Sequence, residues 1–78
     1  MIPTGTVVKA KAGRDKEGFF VVVKSEGGWA FIADGKRRKV ENPKKKNPTH
    51  LAITNTVLSD SMDTNRKIRA ALRVFRED

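Results

Sequence analysis

No apolar run in this chain is longer than five residues, and both runs of that length, 19–23 and 29–33, are bounded by glycine-containing turns. Five residues are too few for a helix to bury a face and enough for a strand. Both runs are aromatic and β-branched, as a buried strand requires. A chain of 78 residues built from such pieces makes one domain with one small core. The spacing predicts strands over 5–11, 19–24, 29–33, 36–40 and 51–54. Asp34-Gly35 is the strongest hairpin signal, because both central positions of a type I′ turn need positive φ. Residues 36–40 are therefore expected to return antiparallel to 29–33 as a charged edge strand. Trp29, Phe19, Phe20 and Phe31 lie in short strands, and a domain this small needs its aromatics inside. They are expected in the core rather than as a base-stacking platform.

After the strands comes a helix. Asp63 or Thr64 can cap it, and it runs over 64–76. Ile68, Ala71, Leu72 and Phe75 recur at i, i+3, i+4 and i+7, which is an apolar stripe. At about 100° per residue, Arg66, Arg69, Arg73 and Arg76 fall together on a neighbouring face. Five short strands and one terminal helix predict a mainly β fold, a small five-stranded SH3-like barrel with a C-terminal α-helix, as a single domain over 1–78. The barrel is expected over 5–54.

Charge is unevenly placed. The chain carries a formal net charge of +8, and 36–50 holds seven cations against the single acid Glu41. The cations are Lys36, Arg37, Arg38, Lys39, Lys44, Lys45 and Lys46. The segments before and after are each near +1. A positive field concentrated on one stretch of a small domain points to a polyanion, most often nucleic acid. Asn42-Pro43 and Asn47-Pro48 bracket the three consecutive lysines, and proline favours extended backbone before it. Residues 42–49 are therefore expected to form an exposed basic arm that orders on binding.

Other chemistries lack their residues. There is no cysteine, which excludes thiol catalysis, disulfides and cysteine-ligated zinc, and His50 is the only histidine. No Gly-Lys-Ser/Thr phosphate loop occurs. A Ser59, Asp60 and His50 triad has no support in the spacing. No cofactor, no metal and no enzymatic activity are expected. The first residues have neither a basic region nor a long apolar one, which predicts no secretory signal, no membrane association and a cytoplasmic protein.

The first half has the layout of a strand, a glycine-marked loop and a second strand: Lys11-Ala12-Gly13-Arg14-Asp15-Lys16 followed by a run of valines. Then come Asp34-Gly35-Lys36-Arg37-Arg38-Lys39-Val40-Glu41-Asn42-Pro43-Lys44-Lys45-Lys46, His50-Leu51 and Asn65-Arg66-Lys67-Ile68-Arg69-Ala70-Ala71-Leu72. In this order the chain resembles the KOW-type proteins of the large ribosomal subunit and their small bacterial relatives. Glu17 stands where those proteins usually have glycine, with Gly18 one residue later. The resemblance implies RNA binding, most often to ribosomal RNA in a ribonucleoprotein of the translation machinery. On this reading Arg14, Lys16, Lys36, Arg37, Arg38, Lys39, Lys44, Lys45 and Lys46 meet the RNA, and Arg66, Arg69, Arg73 and Arg76 supply a secondary contact. Arg14, Arg37 and Arg38 have planar forks suited to phosphate. Partners would be RNA, with ribosomal proteins as a second class, and the free chain a monomer. Two further readings are a protein-binding SH3-like module that meets an acidic surface, and a barrel that binds DNA non-specifically.

Overall fold

The computed structural model describes residues 2–11, 13 and 18–76. Five antiparallel strands form one sheet: β1 (Thr6–Ala10), β2 (Phe19–Glu26), β3 (Trp29–Ala33), β4 (Lys44–Lys46) and β5 (Leu51–Val57), in the order β4-β3-β2-β1-β5. One helix follows, α1 (Asn65–Arg76). The architecture is mainly β and consistent with a small SH3-like barrel. A short 3₁₀ turn, Pro48–His50, links the lysine strand to β5, and the Asn47 side chain accepts from the Thr49 amide to cap it.

Paired valines explain how so short a chain makes two apolar layers. Successive side chains on a strand point to opposite faces. Val8, Ala10, Phe20, Val22, Ala30, Ile32 and Leu51, with Ile2, make a buried cluster drawn from four strands. One face can bring β5 and β3 together only if the sheet curls around it. Val7, Val21 and Ala33 face the other way and pack on Ile68 and Leu72 of the helix. Both helix residues are fully buried, and Phe75 meets Phe19 with ring centroids 5.4 Å apart. Burying each of these large side chains stabilises the fold by roughly 1.5–3 kcal/mol.

Two irregularities bend the sheet. The β2–β3 register slips at Val23, between the pairs Val22–Ile32 and Lys24–Phe31. The β1–β5 register slips between Thr6 and Val8, and there the Thr54 hydroxyl donates to the Val7 carbonyl at 2.7 Å. Bulges sharpen local twist, which helps a short sheet to curl. The helix begins as expected from its cap: the Thr64 hydroxyl accepts from the Lys67 amide at 3.2 Å.

The fourth strand is not the one expected. Residues 36–40 are a loop, and Lys44–Lys46, expected as an exposed arm, pairs with β3 instead. Asp34 decides this. Its carboxylate accepts from the amides of Lys36 and Arg38, both at 2.9 Å. The Arg38 carbonyl then accepts from the amides of Asp34 and Gly35. The chain is closed on itself within five residues, so the amides of Lys36 and Arg38 and the Arg38 carbonyl are already engaged within the turn. The next extended segment takes the place. Ala30, Phe31 and Ile32 pair with Lys46, Lys45 and Lys44. Three lysines on an edge strand still block edge-to-edge association.

Candidate nucleic-acid interface

The closed turn at 34–38 is built onto the helix. Gly35 has φ +81°, and a Cβ there would lie 2.5 Å from the Asn65 carbonyl oxygen and 2.8 Å from Cγ of Arg69. Only glycine permits this approach. Nη1 of Arg69 donates to the Gly35 carbonyl at 2.8 Å. The Asn65 side chain uses both its ends: Oδ1 accepts from the Val40 amide at 2.8 Å, and Nδ2 donates to the Glu41 carboxylate at 2.7 Å. These bonds tie 34–41 to the first two turns of α1.

The consequence is electrostatic. Lys36, Arg37 and Lys39 are exposed and Arg38 is half-buried, all on a loop seated against the helix. Arg66 and Arg73 stand three residues before and four residues after Arg69, on the same helical face, and are exposed. The loop cations and the helical arginines therefore share one surface. Arg69 has two tasks there, because its guanidinium also holds the loop. Glu41 is an exposed acid within this surface, beside Asp34, and the bond from Asn65 is the main reason its carboxyl is held below the usual range. Like charges crowded on a short loop repel, and the hydrogen bonds to Asp34, Asn65 and Arg69 offset that repulsion.

From this loop the basic residues continue along β4. Lys44 lies opposite Ile32 and Lys46 opposite Ala30, so both share the face of the inner core, and each is half-buried. Their aliphatic stems cover apolar surface while the ammonium groups reach its edge. A Cβ on Gly13 would lie 3.3 Å from Nζ of Lys46, so this ammonium sits at the mouth of the loop after β1. Arg14 and Lys16, expected to act in that loop, lie outside the described residues, as does the side chain of Arg76. Lys45 points to the outer face, where its Nζ stands 4.6 Å from the ring centroid of Trp29.

Trp29 is 41% exposed, contrary to the expectation that the aromatics are core. Phe20 is buried, and Phe19 and Phe31 are half-buried. The Val23 bulge and the start of β3 at Trp29 set this alternation: Ala30 and Ile32 point inward, leaving Trp29 and Phe31 outside. Lys24 Nζ lies 5.5 Å from the Phe31 ring and forms an ion pair with Glu26 at 2.9 Å.

The exposed ends of the sheet carry other groups. His50 and the pair Ser59 and Asp60 flank β5 at opposite ends, roughly 20 Å apart for a strand of that length. They cannot act on one substrate atom. An open groove of about 560 Å³ runs beside Gly5, Val40 and Met62, but Asp60 and Asp63 line it, which disfavours a polyanion. Among the described residues no helix is long and apolar enough to cross a membrane.

Sequence reasoning missed three working residues. Asn65 carries no charge and sits inside a helical pattern. Gly35 was legible as a turn residue but not as a helix seat. Trp29 is expected in the core from its place in a short strand and the small size of the domain, and stands outside instead. Compared with models of protein families and with curated proteins, the chain matches none.

Proposed function

We propose that this protein binds RNA, docking on the phosphates of a structured RNA such as ribosomal RNA in the cytoplasm, as a binding protein without catalytic activity. The observation that carries this reading is the bond from Arg69 to the Gly35 carbonyl, which joins the basic loop and the helical arginines into one face. A solvated charge run needs no such seat. Here the loop's conformation is held by three side chains, and Lys36, Arg37 and Lys39 are left exposed. From that face the positive charge runs along β4 to the mouth of the Gly13 loop. The KOW-like order of glycines and cations supports RNA among polyanions. The mechanism is recognition of backbone shape and charge. Nothing in the arrangement favours reading a base sequence in a groove.

The test is a titration of RNA binding against salt. If about four phosphates of single-stranded character are neutralised, log affinity falls against log salt with a slope near −3. A slope near zero overturns the electrostatic mechanism. Co-sedimentation with the large ribosomal subunit, lost on ribonuclease treatment, would name ribosomal RNA as the target. Survival of the complex after ribonuclease would favour an acidic protein surface instead.

A further inference from the structure

We propose that the cleft beside Trp29 is a stacking slot for one unpaired RNA base, with Lys45 placed to take the adjoining phosphate. This rests on the RNA-binding reading above and adds to it a contact that phosphate recognition does not need.

Four observations converge on the slot. The largest side chain of the molecule is 41% exposed in a domain whose core is small. Burial of that ring inside would have been worth more than most single contacts in the fold. The ring borders a small cleft of about 140 Å³, lined by Ile2, Ser25, Gly28, Trp29, Ala30 and Pro48. This is room for one planar ring and far less than a drug-sized ligand needs. The approach is open, because a Cβ on Gly27 or Gly28 would meet nothing within 4 Å. Finally, Lys45 Nζ lies 4.6 Å from the ring centroid, so a positive charge is held at the aromatic surface.

An aromatic ring beside a cation is what a single-stranded nucleic acid uses: every base has a π-face, and every base carries a phosphate next to it. Stacking is also tolerant of sequence, which agrees with the lack of groove-reading residues. The other exposed apolar side chains, Ile53, Val57 and Val74, have no such pairing with a cation among the described contacts. In β4, then, the lysines divide the work. Lys44 and Lys46 flank the inner core, and Lys45 serves the outer face.

The experiment uses the chain's own fluorescence. It has one tryptophan and no tyrosine, so emission reports on Trp29 alone. The whole protein is titrated with a short oligouridylate and with an abasic strand of the same length and charge. The expected result is quenching by oligouridylate and not by the abasic strand, although both bind. Trp29→Ala should weaken oligouridylate binding roughly tenfold and leave the abasic strand unaffected, with Trp29→Phe retaining most of the affinity. Binding of oligouridylate with no quenching, or equal effects of Trp29→Ala on both strands, overturns the slot and leaves RNA binding standing. Failure of both strands to bind overturns the slot, and if structured RNA also fails to bind in the salt titration, the RNA reading falls with it. Since Trp29 lies outside the core, the phenylalanine variant controls for any loss of folding.

Discussion

The chain holds its cations in two different ways. In 34–41 they sit on a loop, and the loop is fixed through its backbone: Asp34 closes the turn, Gly35 lets it approach the helix, and Asn65 and Arg69 bind it there. In β4 they sit on a strand, and pairing with β3 fixes them. The loop leaves the side chains of Lys36, Arg37 and Lys39 exposed, and of these Lys39, after the Asn65 bond, also helps to hold the Glu41 carboxyl low. The strand gives Lys44 and Lys46 a second task, because their stems lie over the inner core. A cation mounted on a seated loop can be replaced at little cost to the fold. A cation mounted on an edge strand cannot be replaced as cheaply.

Removing the loop's seat should have the largest effect. Gly35→Ala places a methyl group 2.5 Å from the Asn65 carbonyl at a φ of +81°. Strain of this kind and the displaced loop should together cost roughly 3 kcal/mol. For a domain of this size that lowers the thermal midpoint by more than 10 °C, at about 4–8 °C per kcal/mol. Gly27→Ala is the matched control. It also has positive φ, at +60°, but a Cβ there meets nothing within 4 Å, so it should cost only about 1 kcal/mol. Equal losses for the two variants in a thermal melt would mean that backbone strain, and not the helix contact, sets the role of Gly35.

Next comes the side chain that ties loop to helix. Asn65→Ala removes the acceptor for the Val40 amide and the donor to Glu41. Each net hydrogen bond is worth about 1 kcal/mol, so a loss of roughly 1–2 kcal/mol is expected. RNA affinity should fall as well, because the loop cations lose their fixed position. A variant that loses stability but binds RNA with unchanged affinity and salt slope would show that the seat serves the fold alone.

The two regions were unequally legible in sequence. Strands β1, β2, β3 and β5 could be read because their β-branched and aromatic residues lie between turn residues, and the helix could be read from Ile68, Leu72 and its cap. The basic stretch could be found as charge but not as structure. Asp34-Gly35 signals a hairpin, yet the same aspartate can fold its side chain back onto the amides of Lys36 and Arg38, and that local bond wins. Lys44–Lys46 has poor strand propensity, so nothing local marks it as β4. It becomes a strand because β3 has an unpaired edge and 36–40 cannot fill it. The outward position of Trp29 follows from the sheet's register, which no local pattern specifies.

Replacing the cations sharpens the contrast at a lower level of effect. Changing Lys36, Arg37 and Lys39 together to alanine should leave the thermal midpoint within about 2 °C of the original and reduce the salt slope of RNA binding by about 1. The corresponding change of Lys44, Lys45 and Lys46 should reduce the slope similarly but lower the midpoint by several degrees. There the loss is of packing over Ile32 and Ala30, not of charge. Methionine in place of Lys44 and Lys46 should restore the midpoint without restoring the slope. If the two triple variants have the same midpoint, β4 is no more structural than the loop.

Acid titration should give the smallest effect, and it reads the loop alone. Asn65 Nδ2 donates to the Glu41 carboxylate at 2.7 Å, and this bond leads the causes that hold its carboxyl below the ordinary range. A carboxyl depressed in the folded state binds fewer protons there than in the unfolded chain at pH values between the two pKa values. Its contribution to stability is therefore complete above the unfolded pKa and is lost as pH falls through the folded one. Glu41 is fully exposed, so the contribution is small and screened by salt. Glu41→Gln keeps an acceptor for Asn65 but cannot titrate. The two proteins should melt with parallel pH dependence from neutral down to the ordinary carboxylate range, then diverge below it as only the native protein loses this bond to the charged acceptor. Glu26, held below the usual range by Lys24 on the far side of the sheet, titrates in both proteins and cancels from the difference. Divergence at neutral pH instead would assign Glu41 a role in balancing the cations of the loop, where charge rather than the Asn65 bond decides the fit.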